Sequence, residues 1–115
     1  MKKSIAVENE ELCFCCCKPK EAEHHLIFGS GLRKLADEDG LTVPICNNHH
    51  NFAVFRPEQI HENSMAEYLS KCVGQTVWER EEIAKELSEL TGEPVESIKE
   101  RINLRFMARY GRSWL

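Results

Sequence analysis

The residues best suited to chemistry form two pairs with one spacing: Cys13-x-x-Cys16, and Cys46-x-x-His49 about thirty positions later. A two-residue spacer closes a tight turn, so both donors of a pair reach one ion from the same side. Three thiolates and one imidazole together make a tetrahedral set for structural Zn2+. Cys15 and Cys17 crowd the first pair and compete for the choice of ligand; as free thiols they would instead suit a redox or metal-sensing protein. A disulfide within this run of cysteines would be strained, and a reducing compartment favours metal binding over bridges. Three further histidines flank the same positions: the pair His24-His25, and His50 directly after His49. Neighbours in a strand point to opposite faces, so one of His24 and His25 can bind a metal while the other reaches a water.

The elements that position these groups are short. Residues 13–62 hold five of the six cysteines and all five histidines, with turn formers at Lys18-Pro19, Gly29-Ser30-Gly31, Asp39-Gly40 and Asn47-Asn48. Two apolar runs, His24-His25-Leu26-Ile27-Phe28 and Leu41-Thr42-Val43-Pro44-Ile45, read as strands, the second an edge strand because of Pro44. Arg33-Lys34 falls in the connection between them, where it can either touch a phosphate or sit in a solvated loop. From Ser64 the pattern turns helical. Ser64-x-x-Glu67 and Thr76-x-x-Glu79 fit capping boxes, each opening a helix, with Met65, Leu69 and Cys72 on one apolar face and Val77, Ile83, Leu87 and Leu90 on the other. Thr91-Gly92 closes the second helix. Pro94 opens a third, carrying Val95, Ile98, Ile102 and Phe106 to Gly111. The expected organisation is α+β: a lead-in over 1–12, a metal-bearing unit over 13–62 and a helical extension over 63–115.

Composition sets limits. With 19 acidic and 15 basic residues the formal charge is −4, so any nucleic-acid contact must be local. No apolar run approaches the roughly 18 residues that span a bilayer, and Met-Lys-Lys is followed by no signal-peptide core; a cytoplasmic protein with no membrane partner is expected. Arg101, Arg105 and Arg109 share one helical face. They could track a nucleic-acid backbone, but pairing with the acidic run from Glu79 to Glu100 is the preferred reading. Trp78 and Trp114 read as packing anchors.

Taken in order, Cys-x-x-Cys, His24-His25-Leu26-Ile27-Phe28-Gly29, Arg33-Lys34 and Gly40-Leu-x-Val-Pro-Ile-Cys46-x-x-His49-His50-Asn51 resemble the small HNH-type (ββα-metal) nucleases of phages and prophages, and are similar to the zinc-bearing recombination-enhancement nucleases. The resemblance covers residues 13–62 and implies a zinc-stapled ββα-metal finger followed by C-terminal helices. It makes His25 the general base that activates water. His24 and His50 become ligands of a catalytic divalent cation, Mg2+ or another, with His50 on a short helix and DNA as the substrate of phosphodiester hydrolysis. A neutral imidazole can take the proton while a cation stabilises the developing charge. Two positions depart from the pattern. Leu41 and Thr42 stand where a central Asn would orient the base, and Val54 stands where relatives carry another histidine, a role His61 is expected to fill by pointing toward His24 and His50. The alternative is a non-catalytic zinc module that binds nucleic acid or protein on the same scaffold.

Overall fold

A strand that buries one face needs a partner and a cover, and Ala22–His25 (β1) finds both. In the computed structural model, which describes residues 3–50, 59–87 and 92–115, β1 pairs antiparallel with Thr42–Ile45 (β2) in the register Ala22↔Ile45 to His25↔Thr42. The element order is β1, α1 (Leu32–Asp39), β2, a 3-10 turn at Ile60–Glu62, α2 (Ser64–Leu87) and α3 (Val95–Tyr110). The chain is therefore a small α+β domain with a two-stranded sheet and three helices. Pro44 has no N–H to give, which an edge tolerates; its carbonyl accepts the Phe14 N–H at 2.9 Å and ties the first cysteine turn to β2.

Four expectations need correction. The first strand lies earlier than expected, over 22–25, because Leu26 and Ile27 leave the sheet to pack fully buried under α2. They fit there because Gly74 has no side chain: a Cβ at Gly74 would lie 2.7 Å from Ile27 Cγ1 and 3.1 Å from Leu26 Cβ. Second, Arg33 and Lys34 lie in the first turn of α1, an eight-residue helix bounded by left-handed Gly31 and Gly40; with only Ala36 fully buried, its polar sequence reads as loop. Third, the two expected helices after Ser64 are one. Thr76 sits mid-helix with its hydroxyl donating to the Cys72 carbonyl, and the cap is Asn63, whose Oδ1 accepts the N–H groups of Met65 and Ala66. Fourth, the buried face of α2 is not the one the apolar pattern suggests. Met65 and Leu69 are 62% and 53% exposed, while Ser70, Gly74, Gln75, Val77 and Trp78 face inward.

Polar residues on that inner face act as fasteners. The fully buried Gln75 accepts the Trp114 N–H at 2.7 Å and donates to Ser113 Oγ, and the Tyr68 hydroxyl donates to the Trp114 carbonyl at 2.8 Å. The C-terminal residues are thereby laid against α2. The main core joins Leu26, Ile27, Ala36, Leu41 and Val43 to Val77, Trp78, Ile102, Phe106, Tyr110 and Trp114, so both tryptophans are packing residues. A second cluster holds only Cys13, Ile45, Cys46 and Ile60. α3 keeps its expected period through Ile102, Phe106 and Tyr110 and stops at left-handed Gly111. Its arginines are paired: Arg101 with Glu86 and Glu93, Arg105 with Glu82 and Glu86, and Arg109 with Asp39 of α1. Val54, Leu90 and Thr91 lie outside the described residues. Among the described residues no helix is long and apolar enough to cross a membrane.

Candidate metal centres

The first cysteine pair sits on a small hairpin closed by the Leu12↔Pro19 bridge and the Cys13 N–H to Lys18 carbonyl bond. Cys17 adopts φ 62°, the left-handed turn that lets the chain double back, and the Cys15 N–H points at Cys13 Sγ, 3.4 Å away. Cys46 follows β2 directly, and the N–H groups of His49 and His50 both reach the Cys46 carbonyl at 3.1 Å, folding the second pair into a turn. The ligand atoms of Cys13, Cys16, Cys46 and His49 all lie within 4.8 Å of one another. Cys16 Sγ stands 3.7 Å from Cys46 Sγ, and Cys46 Sγ stands 3.2 Å from His49 Nδ1. Two thiolates about 2.3 Å from a tetrahedral zinc would be about 3.8 Å apart. The set can hold a metal such as zinc.

Electrostatics fit the same reading. Burial raises the Cys13 thiol, but the backbone groups of Cys46, Cys15 and Cys16 outweigh it and bring it to about 6. Burial and then Cys16 push Cys46 up. All six cysteines are free. Cys15 and Cys17 point outward, and loss of solvation followed by the charge at Cys13 pushes Cys15 up to about 12, a poor value for a redox nucleophile.

A second cluster lies across β1. His24 is 1% exposed; His50 comes from the turn after Cys46 and His61 from the 3-10 turn, which the Ile60 N–H anchors to the His49 carbonyl at 2.9 Å. Ring centroids of the three histidines are 5.0–5.3 Å apart, and one nitrogen of each lies within 4.8 Å of the others. Phe28 closes one wall, 5.0 Å from the His61 ring. Hydrogen bonds assign the tautomers. Ser70 donates its only hydroxyl proton to the Leu26 carbonyl at 2.8 Å, so at 2.7 Å it must accept from His24 Nε2–H, leaving Nδ1 as the lone pair. Glu67 accepts from His61 Nδ1–H at 3.0 Å, leaving Nε2. Partners of this type on the far nitrogen are what orient metal-binding imidazoles. Burial, and then His50 and His61, hold His24 down to about 3; burial, His61 and Arg33 also lower His50. Both rings are neutral at pH 7 and keep their lone pairs.

His24, His50 and His61 share a cavity of about 490 Å³ with His25, Glu23, Phe28, Gly29 and Arg33. Lys34 is exposed and is not among the described residues that line it. His25 lines the same cavity, and its Nε2 lies 2.8 Å from Asp37 Oδ1 of α1. The carboxylate can only accept, so Nε2 carries the proton and Nδ1 is the basic nitrogen. Asp37 thus fixes the orientation of the His25 ring. His50 lies in a turn as far as the described residues run. Sequence reasoning missed Asp37, Ser70 and Glu67 as partners of the histidines. The one usable signal was local: an acid shortly before Thr42, the residue that pairs with His25. Comparison with protein-family models, with curated proteins and with solved structures returns no match.

Proposed function

We propose that the chain is a metal-dependent nuclease of the HNH type, hydrolysing DNA phosphodiesters in the cavity of about 490 Å³ between β1, the Cys46–His50 turn and the 3-10 turn. One observation carries the reading: an imidazole held by a carboxylate, His25–Asp37, opens on the same cavity as three imidazoles that each bring a ring nitrogen within 4.8 Å of the others. Cys13, Cys16, Cys46 and His49 would hold Zn2+ as a staple for the small cluster around Ile45 and Ile60, which is too sparse to order itself. His24, His50 and His61 would hold the catalytic cation, which supplies Lewis-acid stabilisation of charge on the phosphate and its leaving oxygen. Three nitrogen donors favour a borderline ion such as Ni2+ or Zn2+ over Mg2+ and, to a lesser degree, over Mn2+, which prefer oxygen.

The chain's own residues perform the rest. Asp37 keeps the Nε2 proton of His25 in place, so Nδ1 takes the proton of the attacking water. Arg33, exposed at the rim, offers its guanidinium to the phosphate oxygens. Supercoiled plasmid incubated with the zinc-loaded protein and each divalent cation should be nicked, and His25→Ala should lower the rate ~10²–10⁴-fold with zinc content unchanged. A parent protein that nicks with none of these cations, or a His25→Ala protein that nicks as well as the parent, removes the proposal. The first outcome would leave the non-catalytic zinc module.

A further inference from the structure

Phe28, which closes one wall of the three-histidine cavity, carries a cation on its ring. Lys71 Nζ of α2 lies over the Phe28 ring, 4.6 Å from its centroid, and 5.7 Å from the Trp114 ring. On the same indole, the Arg112 guanidinium stands 5.1 Å from the centroid. We propose that this ledge, Phe28–Lys71–Trp114–Arg112, binds the phosphodiester backbone of a DNA strand entering or leaving the cavity. The inference rests on the nuclease reading for the cavity end of the track, while its binding role is tested separately.

Three observations support it. Arg101, Arg105 and Arg109, the arginines that a helical stripe offers to a polyanion, are already neutralised by Glu82, Glu86, Glu93 and Asp39. By contrast, neither Lys71 nor Arg112 pairs with a carboxylate among the described residues, so their charge is free for an external anion. The ledge is also built rather than incidental. Trp114 is 5% exposed and is fixed by Gln75 through its backbone N–H and by Tyr68 and Cys72 through its carbonyl. A chain end pinned at both backbone groups holds its indole still, and the indole and Phe28 in turn hold two cations by their ring faces. Such contacts position an ammonium or guanidinium; Arg112 gives its Nε–H to the Ser113 carbonyl at 3.3 Å, which leaves its terminal N–H groups for an anion. Phosphate contacts of this kind carry no sequence information and set where the strand runs. With a net charge of −4, the protein needs a local cationic track of this sort to bring a polyanion to the cavity.

The zinc-loaded protein, without other added divalent cation, is titrated into a short labelled DNA duplex at salt concentrations from roughly 50 to 200 mM. Each phosphate contact contributes about 0.9 to the slope of log affinity against log salt, so Lys71→Gln/Arg112→Gln should make the slope shallower by about 1.8. Lys71→Arg/Arg112→Lys, which keeps both charges, should restore it. Lys85→Gln/Lys99→Gln, an equal charge change on the acidic side, should leave it unaltered. An unaltered slope in Lys71→Gln/Arg112→Gln, an equal loss in the Lys85/Lys99 control, or a parent with no salt-dependent binding overturns the ledge. Hydrolysis of bis(p-nitrophenyl) phosphate, a diester with no strand to track, reports the cavity alone. A parent that hydrolyses it while the slope stays unaltered keeps the nuclease and loses the ledge. A shallower slope in the variant without any hydrolysis by the parent does the reverse.

Discussion

Ser70→Ala is the most informative single change, because one hydroxyl serves two buried groups. It accepts from His24 Nε2–H at 2.7 Å and donates to the Leu26 carbonyl at 2.8 Å, and His24 and Leu26 are 1% and 0% exposed. Alanine leaves a buried donor and a buried acceptor without partners. An orphaned buried polar group costs roughly 1–3 kcal/mol, so two of them, after local relaxation, should cost about 2–4 kcal/mol. For a chain of this size that is a fall in Tm of roughly 8–16 °C. The second effect is on the tautomer. Without Ser70 the His24 proton is no longer held on Nε2, and losing such a partner typically weakens metal binding ~10–100-fold. Thermal melts of the zinc-loaded protein measure the first quantity, and titration calorimetry with Mn2+ or Ni2+ the second. A variant that melts within about 1 kcal/mol of the parent refutes the claim that Ser70 satisfies both groups. A variant that melts lower yet binds the cation as tightly refutes the assignment of the His24 tautomer.

Gly74→Ala should destabilise by about 1–3 kcal/mol in denaturant melts, because the new Cβ meets Ile27 Cγ1 at 2.7 Å against a fully buried side chain; a neutral or stabilising result would mean that Ile27 moves freely. Acid should destabilise the fold through His24. Its folded value of about 3 lies below the ordinary 6.5, so the unfolded chain binds that proton more tightly; the stability involved is complete above about pH 6.5 and is lost as pH falls toward 3. The stability difference between the parent and His24→Leu should shift against the parent as pH falls across that window, and parallel curves would count against a neutral buried His24. Chelation of zinc should abolish hydrogen-exchange protection over residues 13–22 and 45–50 while the main core around Leu26, Val43, Ile102 and Phe106 keeps its own. Equal protection in both states would mean that these segments do not depend on metal.

What the sequence made legible was local. A two-residue spacer is a turn whatever surrounds it, so the grouping of Cys13 with Cys16 and of Cys46 with His49 could be read directly, and the helix over Val95–Tyr110 followed from its apolar period. What stayed hidden depends on partners far along the chain. Ser70 and Gln75 look like solvent-facing positions until Leu26, His24 and the Trp114 backbone are brought to them, and placing them inward turns Met65 and Leu69 out. Glu67 reads as half of a capping box because the pattern fits, yet Asn63 takes the cap and Glu67 goes to His61. Asp37 was hidden for another reason: α1 looked like a loop, and only a helix turn places its carboxylate over the side chain of His25.

His49 and His50 are neighbours in one turn, yet one belongs to the cysteine cluster and the other to the histidine cluster. The His49 carbonyl also receives the Ile60 N–H that positions His61. An ion in the first cluster therefore restricts the peptide from which two of the three ligands of the second are hung. By linkage the help is reciprocal: whatever factor zinc adds to the affinity of the histidine site, an ion there adds to the retention of zinc. A single-residue insertion or deletion within 46–50 would put both centres out of register at once. The five residues Cys46-Asn47-Asn48-His49-His50 thus serve both clusters at once, so an ion lost from the first would loosen the footing of any ion held by the second.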